Sequence, residues 1–338
     1  VGGVSVLFPE DGLQFQEGFP HGDGQHVVLF FFPADLPQAG DGGQLHVEQV
    51  DAVIGQGADP VKTEGFQLVV GDHDFGPGFC IWLLEDDFAN YGGRLQAAYE
   101  MLPKEFMGLS TDNIQDKSRV GVMPIDEFFF KYLGLSETPK TNREWLFLKE
   151  TSLALCTNGK VFRDDKGSFT AFRKALLAFY PEDILRKKLA ARAAVMSQAG
   201  QYNLLRCLDR NDRVAAMLAL AKFTEASISM VYLLNRRYMP FYKWAYHGMQ
   251  ELPEMRQAVE KIGELGTLFD RIGTDCAAVR KKAYELTECI CEDTAHELNK
   301  QGFSQCGSAF LQDHLGEIME EIRDPQIRSL PPIYDYGF

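Results

Sequence analysis

The C-terminal half of the chain carries apolar residues at helical spacing almost without interruption, so it can bury them only by packing helix against helix. The pattern is clearest in residues 213–236, where one side of the helix carries Ala216, Leu220, Phe223, Ile228, Val231 and Leu234. About seven such stretches follow one another with short connections, which favour antiparallel neighbours. We therefore predict an all-α helical bundle domain over residues 167–330, followed by an extended tail over residues 331–338.

Residues 71–166 have the pattern of strands interleaved with helices. The apolar run at residues 79–84 has the length of a buried strand, and the acidic residues after it suit a helix start. Further elements are predicted at residues 88–101 (helix), 119–124 (strand), 125–133 (helix) and 145–156 (helix), and residues 161–162 lead to a turn at residues 164–167. This order is typical of a small α/β or α+β domain. Together with the helical bundle, it predicts an α+β fold class for the whole chain.

Residues 1–70 differ from the rest of the chain in composition. They contain ten acidic residues, Lys62 as their one basic residue, and twelve of the 31 glycines. Short strands are predicted at residues 27–32, 46–53 and 67–70. Three explanations stay open: an irregular β-rich part of the first domain, a partly disordered segment, or an artefact such as a wrong reading frame joined to a genuine coding region.

The net charge of −14 argues against nonspecific binding to nucleic acid and to acidic membrane surfaces, because both carry negative charge. No apolar run is long enough to span a bilayer, and the chain begins without a signal segment, so we expect a cytoplasmic protein with no membrane partner. The seven cysteines are scattered and lack the paired spacing of a metal site, which favours buried free thiols.

Asp72-His73-Asp74 is the best candidate for a catalytic centre. On an extended backbone residues i and i+2 project from the same face, so the two carboxylates could share a divalent cation such as Mg²⁺. A cation with phosphate oxygens completing its shell is the usual electrostatic clamp for phosphoryl or nucleotidyl transfer. The alternative is a polar turn before a buried strand, because an Asp-x-Asp pattern occurs by chance in acidic chains.

A second cluster lies at residues 235–244, at a predicted junction between two helices. Arg236, Arg237 and Lys243 could converge on phosphates, and Tyr238, Tyr242 and Trp244 could stack on a base: all six lie within ten residues. The alternative is a helix corner with a core tryptophan and solvated cations. His247 and His296 lack a partner cluster in the sequence, and no Ser/His/Asp arrangement is indicated.

From residue 72 to residue 330 the chain resembles a bacterial family of unknown function, domain of unknown function 4037, which is related to the nucleotidyltransferases. The similar segments are residues 72–80, 102–108, 120–124, 157–162, 180–183, 200–203 and 234–244. The resemblance implies a nucleotidyltransferase-like mixed-sheet domain over residues 71–166, followed by the helical domain. In relatives the first acid pair binds Mg²⁺ and ATP lies between the domains, which implies that Asp72 and Asp74 are the metal ligands.

The chain departs from the family pattern in two places. Relatives carry a Gly-Ser element at a helix start before the acid pair, and its N–H groups hold the nucleotide phosphates. The corresponding stretch here is Gly57-Ala58-Asp59-Pro60, which has no serine. A third carboxylate belongs on the strand at residues 119–124, but the first acids, Asp126 and Glu127, come just after it. The sheet domain is therefore expected to be incomplete.

These observations leave three functional hypotheses. The first is Mg²⁺-dependent transfer of a nucleotide from ATP to a small molecule or a protein hydroxyl, with Asp72 and Asp74 holding the metal, Asp126 assisting and Lys243 contacting phosphates. The second is a non-catalytic nucleotide-binding or regulatory protein on the same scaffold, which the missing Gly-Ser element favours. The third is an inactive copy of an active enzyme. Each predicts a small-molecule or nucleotide ligand.

Overall fold

The computed structural model describes three short strands of the N-terminal segment and then residues 79–106, 109–110, 120–268, 271 and 277–335. The described residues are mostly helical with small β-sheets, which confirms the α+β class. It divides into two units. A sheet-containing unit comprises Val1–Lys131 and Asn158–Phe172, and a helical unit comprises Tyr132–Thr157 and Arg173–Phe338.

The sheet-containing unit is organised around one mixed sheet. Its described strands, in chain order, are β1 (Val6–Leu7), β2 (Gln14–Phe15), β3 (Val28–Phe31), β4 (Phe79–Leu83), β5 (Glu105–Phe106), β6 (Leu109–Ser110), β7 (Gly121–Pro124) and β8 (Lys160–Arg163). The main sheet has the order β7-β4-β3-β8, in which β4 is parallel to β7 while β3 is antiparallel to β4 and β8. The strands predicted at residues 27–32, 79–84 and 119–124 are thus confirmed, whereas those at 46–53 and 67–70 lie outside the described residues.

Aromatic rings fill the core of this unit. Trp82 of β4 is fully buried and stacks on Phe169, with ring centroids 4.4 Å apart. Phe129 stacks on Phe172 at 3.7 Å, and Phe128 lies 4.6 Å from Trp82. Phe128 and Phe129 belong to helix α2 (Ile125–Leu133), and helix α1 (Glu85–Glu100) packs against β7. The apolar run of β4 and the aromatic face of α2 therefore form one core, as their periodicity predicts.

The helical unit contains most of the remaining elements. Its helices are α3 (Asn142–Phe147), α4 (Glu150–Thr157), α6 (Glu182–Met196), α7 (Leu205–Asp209), α8 (Arg213–Leu234), α9 (Tyr242–Met249), α10 (Arg256–Gly266), α11 (Ala277–Lys300), α12 (Leu315–Glu320) and α13 (Pro325–Arg328); α5 (Ser168–Leu177) extends across the division from the sheet-containing unit. Helix α8 packs most extensively against α6. Its length and composition would suit a membrane span, but core helices of soluble proteins share both properties.

A π-helix, Ser197–Leu204, continues α6 without a break and leads into α7. Gly200 faces Phe223 of α8, and a side chain at residue 200 would collide with the ring of Phe223. Gln201 donates from Nε2 to the carbonyl of Ala309 at 3.0 Å and accepts from the N–H of Leu311 at 3.0 Å. Residues 200–203, one of the segments that resemble the family, thus have a packing role. Gly200 lets two helices approach closely, and Gln201 forms hydrogen bonds with the segment near residue 310.

Two predicted elements differ from the structure. The single helix predicted at residues 145–156 is two helices, because Leu148 has an extended backbone (ψ 124°) and Thr141 and Glu144 form a capping box that starts α3 earlier. Helical spacing also predicts a single helix over residues 308–322, but the structure has a 3₁₀ turn at Leu311–His314 and then the shorter helix α12. The predicted domain boundary at residue 166 stays a prediction. The two units divide the chain after Lys131, Thr157 and Phe172.

Candidate functional site

The acid pair Asp72 and Asp74 lies outside the described residues, so its assignment as a metal site stays a prediction. The described chain resumes at Phe79, where β4 begins. This strand lies between β3 and β7, and all its residues after Phe79 are buried. In chain order, the acid pair therefore leads directly into a central, buried strand of the sheet.

Asp126 is exposed in the first turn of α2, directly after β7. Strands β4 and β7 are parallel, with Cys80 opposite Gly121 and Leu83 opposite Pro124. The residues before β4 and those after β7 are therefore attached to opposite ends of this strand pair. The strand pairing alone does not bring Asp126 to the acid pair, and its role as the third carboxylate stays a prediction.

Arg236, Arg237 and Lys243 lie exposed around the junction between α8 and α9. Arg236 has a left-handed backbone (φ 53°), and its guanidinium lies 3.7 Å from the Glu182 carboxylate and 5.5 Å from the ring centroid of Phe303. Arg236 is therefore directed towards a carboxylate and a ring of its own unit. Convergence of the three cations on a phosphate stays a prediction.

The aromatic residues of the same junction separate into two groups. Tyr238 is buried, its hydroxyl donates to the carbonyl of Leu176 at 2.7 Å, and its ring stacks on Phe179 at 4.9 Å. Tyr242 is 73% exposed and Trp244 is 39% exposed. Tyr238 is thus a core residue, whereas Tyr242 and Trp244 are accessible to a ligand.

The helical unit contains a buried charged cluster that the sequence analysis did not single out. Lys187, Lys188 and Arg192, all on α6, are fully buried. Arg192 donates from Nη2 to Glu150 at 2.7 Å and from Nε to Ser229 at 2.6 Å. Because both lysines and the arginine come from one helix and their partners from other elements, the cluster joins α6, α4 and α8.

The C-terminal segment supplies the second carboxylate of this cluster. Asp335 Oδ1 lies 3.0 Å from Lys188 Nζ, Asp335 Oδ2 lies 2.8 Å from Arg192 Nη1, and the Asp335 side chain is only 2% exposed. Arg192 thus bridges Glu150 and Asp335. The guanidinium holds its N–H donors in a fixed fork, so a single arginine can contact two separate carboxylates. The tail predicted as simply extended is therefore anchored by its acidic side chain.

The side chain of Lys187 contacts main-chain carbonyls of the same segment. Its ammonium donates to the carbonyls of Pro331 (3.1 Å), Pro332 (2.8 Å) and Tyr334. Burial lowers the pKa of Lys187 to about 8, because the charged form loses its hydration, and the nearby Asp335 carboxylate opposes this effect. The segment is thus held by an ammonium and an ion pair together.

Tyr180 lies beside the cluster with an unused hydroxyl. The Lys188 ammonium lies 5.0 Å from its ring centroid, and the hydroxyl is buried without a hydrogen-bond partner in the described part of the chain. Burial raises the pKa of Tyr180 well above its ordinary value, and the charge of Glu150 raises it further. A buried donor without an acceptor costs free energy. The Tyr180 hydroxyl could therefore donate a hydrogen bond to a polar group placed beside it.

A second buried polar group joins Ser304 and His314. His314 Nδ1 lies 2.9 Å from Ser304 Oγ and Nε2 lies 2.8 Å from the carbonyl of Ser308, while Ser304 Oγ donates to Glu317 at 2.8 Å. Ser304 and His314 are buried, and both ring nitrogens of the histidine are engaged. This arrangement stabilises the loop before the 3₁₀ turn and does not present a serine nucleophile to a substrate.

Within the described ranges, no group of three or more His, Cys, Asp or Glu side chains could hold a metal ion. Among known families, residues 145–245 match the model of a domain of unknown function (DUF4037), which confirms the family resemblance over that segment. Comparison with curated proteins and with solved structures gave no match. The matched segment contains Glu150, all three buried cations and Ser229, and it ends before Asp335.

Proposed function

We propose that this chain is a nucleotidyltransferase-like protein that binds ATP and Mg²⁺ and transfers a nucleotide to a small molecule or a protein hydroxyl. The observation that supports it best is the place of the acid pair in the sequence, a few residues before β4, which is a buried strand with a parallel neighbour. A rigid strand fixes the chain next to two carboxylates better than a free loop would. The family match over residues 145–245 is consistent with the helical domain that the proposal requires.

The donor atoms of the acid pair fit the proposed ion. Mg²⁺ prefers carboxylate oxygens and completes its coordination with water and substrate phosphates, so two carboxylates one residue apart suit it. The metal would supply charge neutralisation at the phosphates. Asp72 and Asp74 would position the ion, and the exposed Lys243 would add a point charge near the nucleotide.

Calorimetry of ATP binding with and without Mg²⁺ tests the binding step. We expect measurable affinity with Mg²⁺ and a loss of about tenfold or more when Asp74 is replaced by asparagine, which keeps the size but removes the charge. Asp165→Asn, at an exposed acid that pairs with Arg163, is the matched control and should bind as the wild type does. Binding that is indifferent to Mg²⁺ and to Asp74→Asn would contradict the proposal.

The alternative is a nucleotide-binding or regulatory protein without catalysis. It is favoured by one observation, the stretch Gly57-Ala58-Asp59-Pro60, which lacks the serine that relatives use at the phosphates. A transfer assay with labelled ATP separates the two functions. Incorporation of label that disappears in Asp74→Asn supports catalysis, whereas Mg²⁺-dependent binding without incorporation supports the alternative.

A further inference from the structure

The buried cluster of the helical unit holds more positive than negative charge among its described members. Lys187, Lys188 and Arg192 face the carboxylates of Glu150 and Asp335. Buried charges are stable only when they are compensated, because an ion that leaves water loses its hydration. If Asp335 left, the three cations and Glu150 would carry a net charge of +2, which would balance the charge of about −2 on a doubly ionised phosphate group.

The segment that supplies Asp335 is held by polar contacts. The carbonyls of Pro331, Pro332 and Tyr334 accept from Lys187, and Asp335 pairs with Lys188 and Arg192. Its large apolar side chains are partly exposed, Ile333 at 39% and Tyr334 at 53%. The segment thus makes contacts of the kind that a soluble oxyanion could also make, with limited apolar burial to retain it.

From this arrangement we infer that Lys187, Lys188 and Arg192 form a phosphate-binding site, and that residues 331–335 occupy it as an exchangeable ligand within the chain. The oxygens of a phosphate group each carry more than one lone pair, so one phosphate could accept from the Arg192 guanidinium and from both lysine ammonium groups, which now contact Asp335 and the carbonyls. The guanidinium of Arg192 presents the fork that matches phosphate oxygens, and the lysines add point charges. The unused hydroxyl of Tyr180 supplies a further donor beside Lys188.

The site is independent of the proposed nucleotide transfer. All of its described members belong to the helical unit, and none is an acid-pair residue. Its occupant would be a free phosphate or the phosphate of a monoester such as a mononucleotide. Exchange of residues 331–335 for that occupant would release this segment from the cluster.

Calorimetric titration with inorganic phosphate at constant ionic strength tests the site. Asp335→Asn removes the competing charge, so phosphate should bind this variant about tenfold more tightly than the wild type. The double variant Asp335→Asn with Lys188→Met should lose that gain, whereas Asp335→Asn with Lys166→Met, at an exposed lysine, should keep it. A parallel titration with AMP distinguishes the two phosphate sources by which binds more tightly. Equal affinity of wild type and Asp335→Asn would overturn the inference.

A measurement on the unmodified chain covers the case in which Asp335→Asn does not fold. Amide hydrogen exchange at residues 333–335 should become faster when phosphate is added to the wild type, because the tail is displaced. Chloride at the same ionic strength should leave the exchange unchanged. Exchange that stays unchanged or slows in saturating phosphate would show that the tail is a permanent part of the core, and the proposed exchange would be refuted.

Discussion

The sheet-containing unit is centred on stacked aromatic rings, whereas the helical unit buries three cations and two carboxylates at its centre. In the first, Trp82, Phe129 and their neighbours need only shape and apolar contact. In the second, Arg192 is stable because each of its nitrogens has a specific partner. The comparison teaches that the two cores respond to different changes: one to lost volume, the other to lost charge compensation.

The largest effect is expected from Arg192→Met. The substitution keeps the length of the side chain but leaves Glu150 buried with Ser229 and no cation, so the free energy of unfolding should fall by about 3–5 kcal/mol. Urea denaturation measures the change. Arg280→Met is the control, because Arg280 pairs with Asp209 at the surface and exposed ion pairs contribute little.

A compensating variant separates charge from packing at this position. Glu150→Leu combined with Arg192→Met removes both members of the pair, and it should recover part of the stability lost in Arg192→Met alone. If Arg192→Met were no more destabilising than Arg280→Met, the contrast between the two cores would be wrong.

The next largest effect is expected in the aromatic core. Phe129→Ala removes a fully buried ring that stacks on Phe172 and leaves a cavity, which should cost about 3 kcal/mol. Phe130, its neighbour in the sequence, is 60% exposed, so Phe130→Ala is a matched control with little expected loss. The same urea titrations apply. Similar losses in both variants would argue against a core built on the buried face of α2.

A smaller effect concerns pH. The folded pKa of Lys187 is about 8, below its ordinary value of 10.5, so between these values the unfolded chain binds the proton more strongly than the folded chain. Stability should therefore rise with pH above 8, by up to about 1.4 kcal/mol per pH unit from this group. Below pH 8 its contribution is constant.

Lys187→Met isolates this contribution. Unfolding free energies are measured for the wild type and Lys187→Met from pH 7 to 9.5. Above pH 8, where the lysine of the folded chain loses its proton, the wild type should gain stability relative to Lys187→Met, and below pH 8 the difference should be constant. Parallel curves would show instead that the carbonyls of Pro331, Pro332 and Tyr334 keep the ammonium charged in the folded state.

Local pattern was enough to predict most elements of the fold. The apolar run of β4, the aromatic face of α2 and the long apolar side of α8 were identified because each depends on residues close together in the chain. The break near Leu148 was missed, because a capping box at Thr141 outweighed a continuous helical period. Whether a helix starts at a capping residue or follows the apolar periodicity depends on small differences in free energy, which residue spacing does not reveal.

The buried cluster could not be predicted from spacing. Lys187, Lys188 and Arg192 look like the solvated side of an amphipathic helix, and their partner Asp335 lies almost at the other end of the chain. One signal was present: Lys188 and Arg192 are four residues apart on one face of the helix, and Arg192 lies within residues 189–196, which are otherwise all apolar. For the proposed metal site the sequence is still the main argument, because Asp72 and Asp74 lie outside the described residues.

The π-helix at Ser197–Leu204 also determines how α7 is rotated about the helix axis relative to α6. Each π-type turn, with its i→i+5 hydrogen bonds, takes up one more residue than an α-turn. Removing one residue there would rotate everything after it by about 100° relative to α6. The start of α8 would then no longer be aligned with the α6 face that carries the buried cations. Length changes in this short segment should therefore be far less tolerated than substitutions on its exposed side.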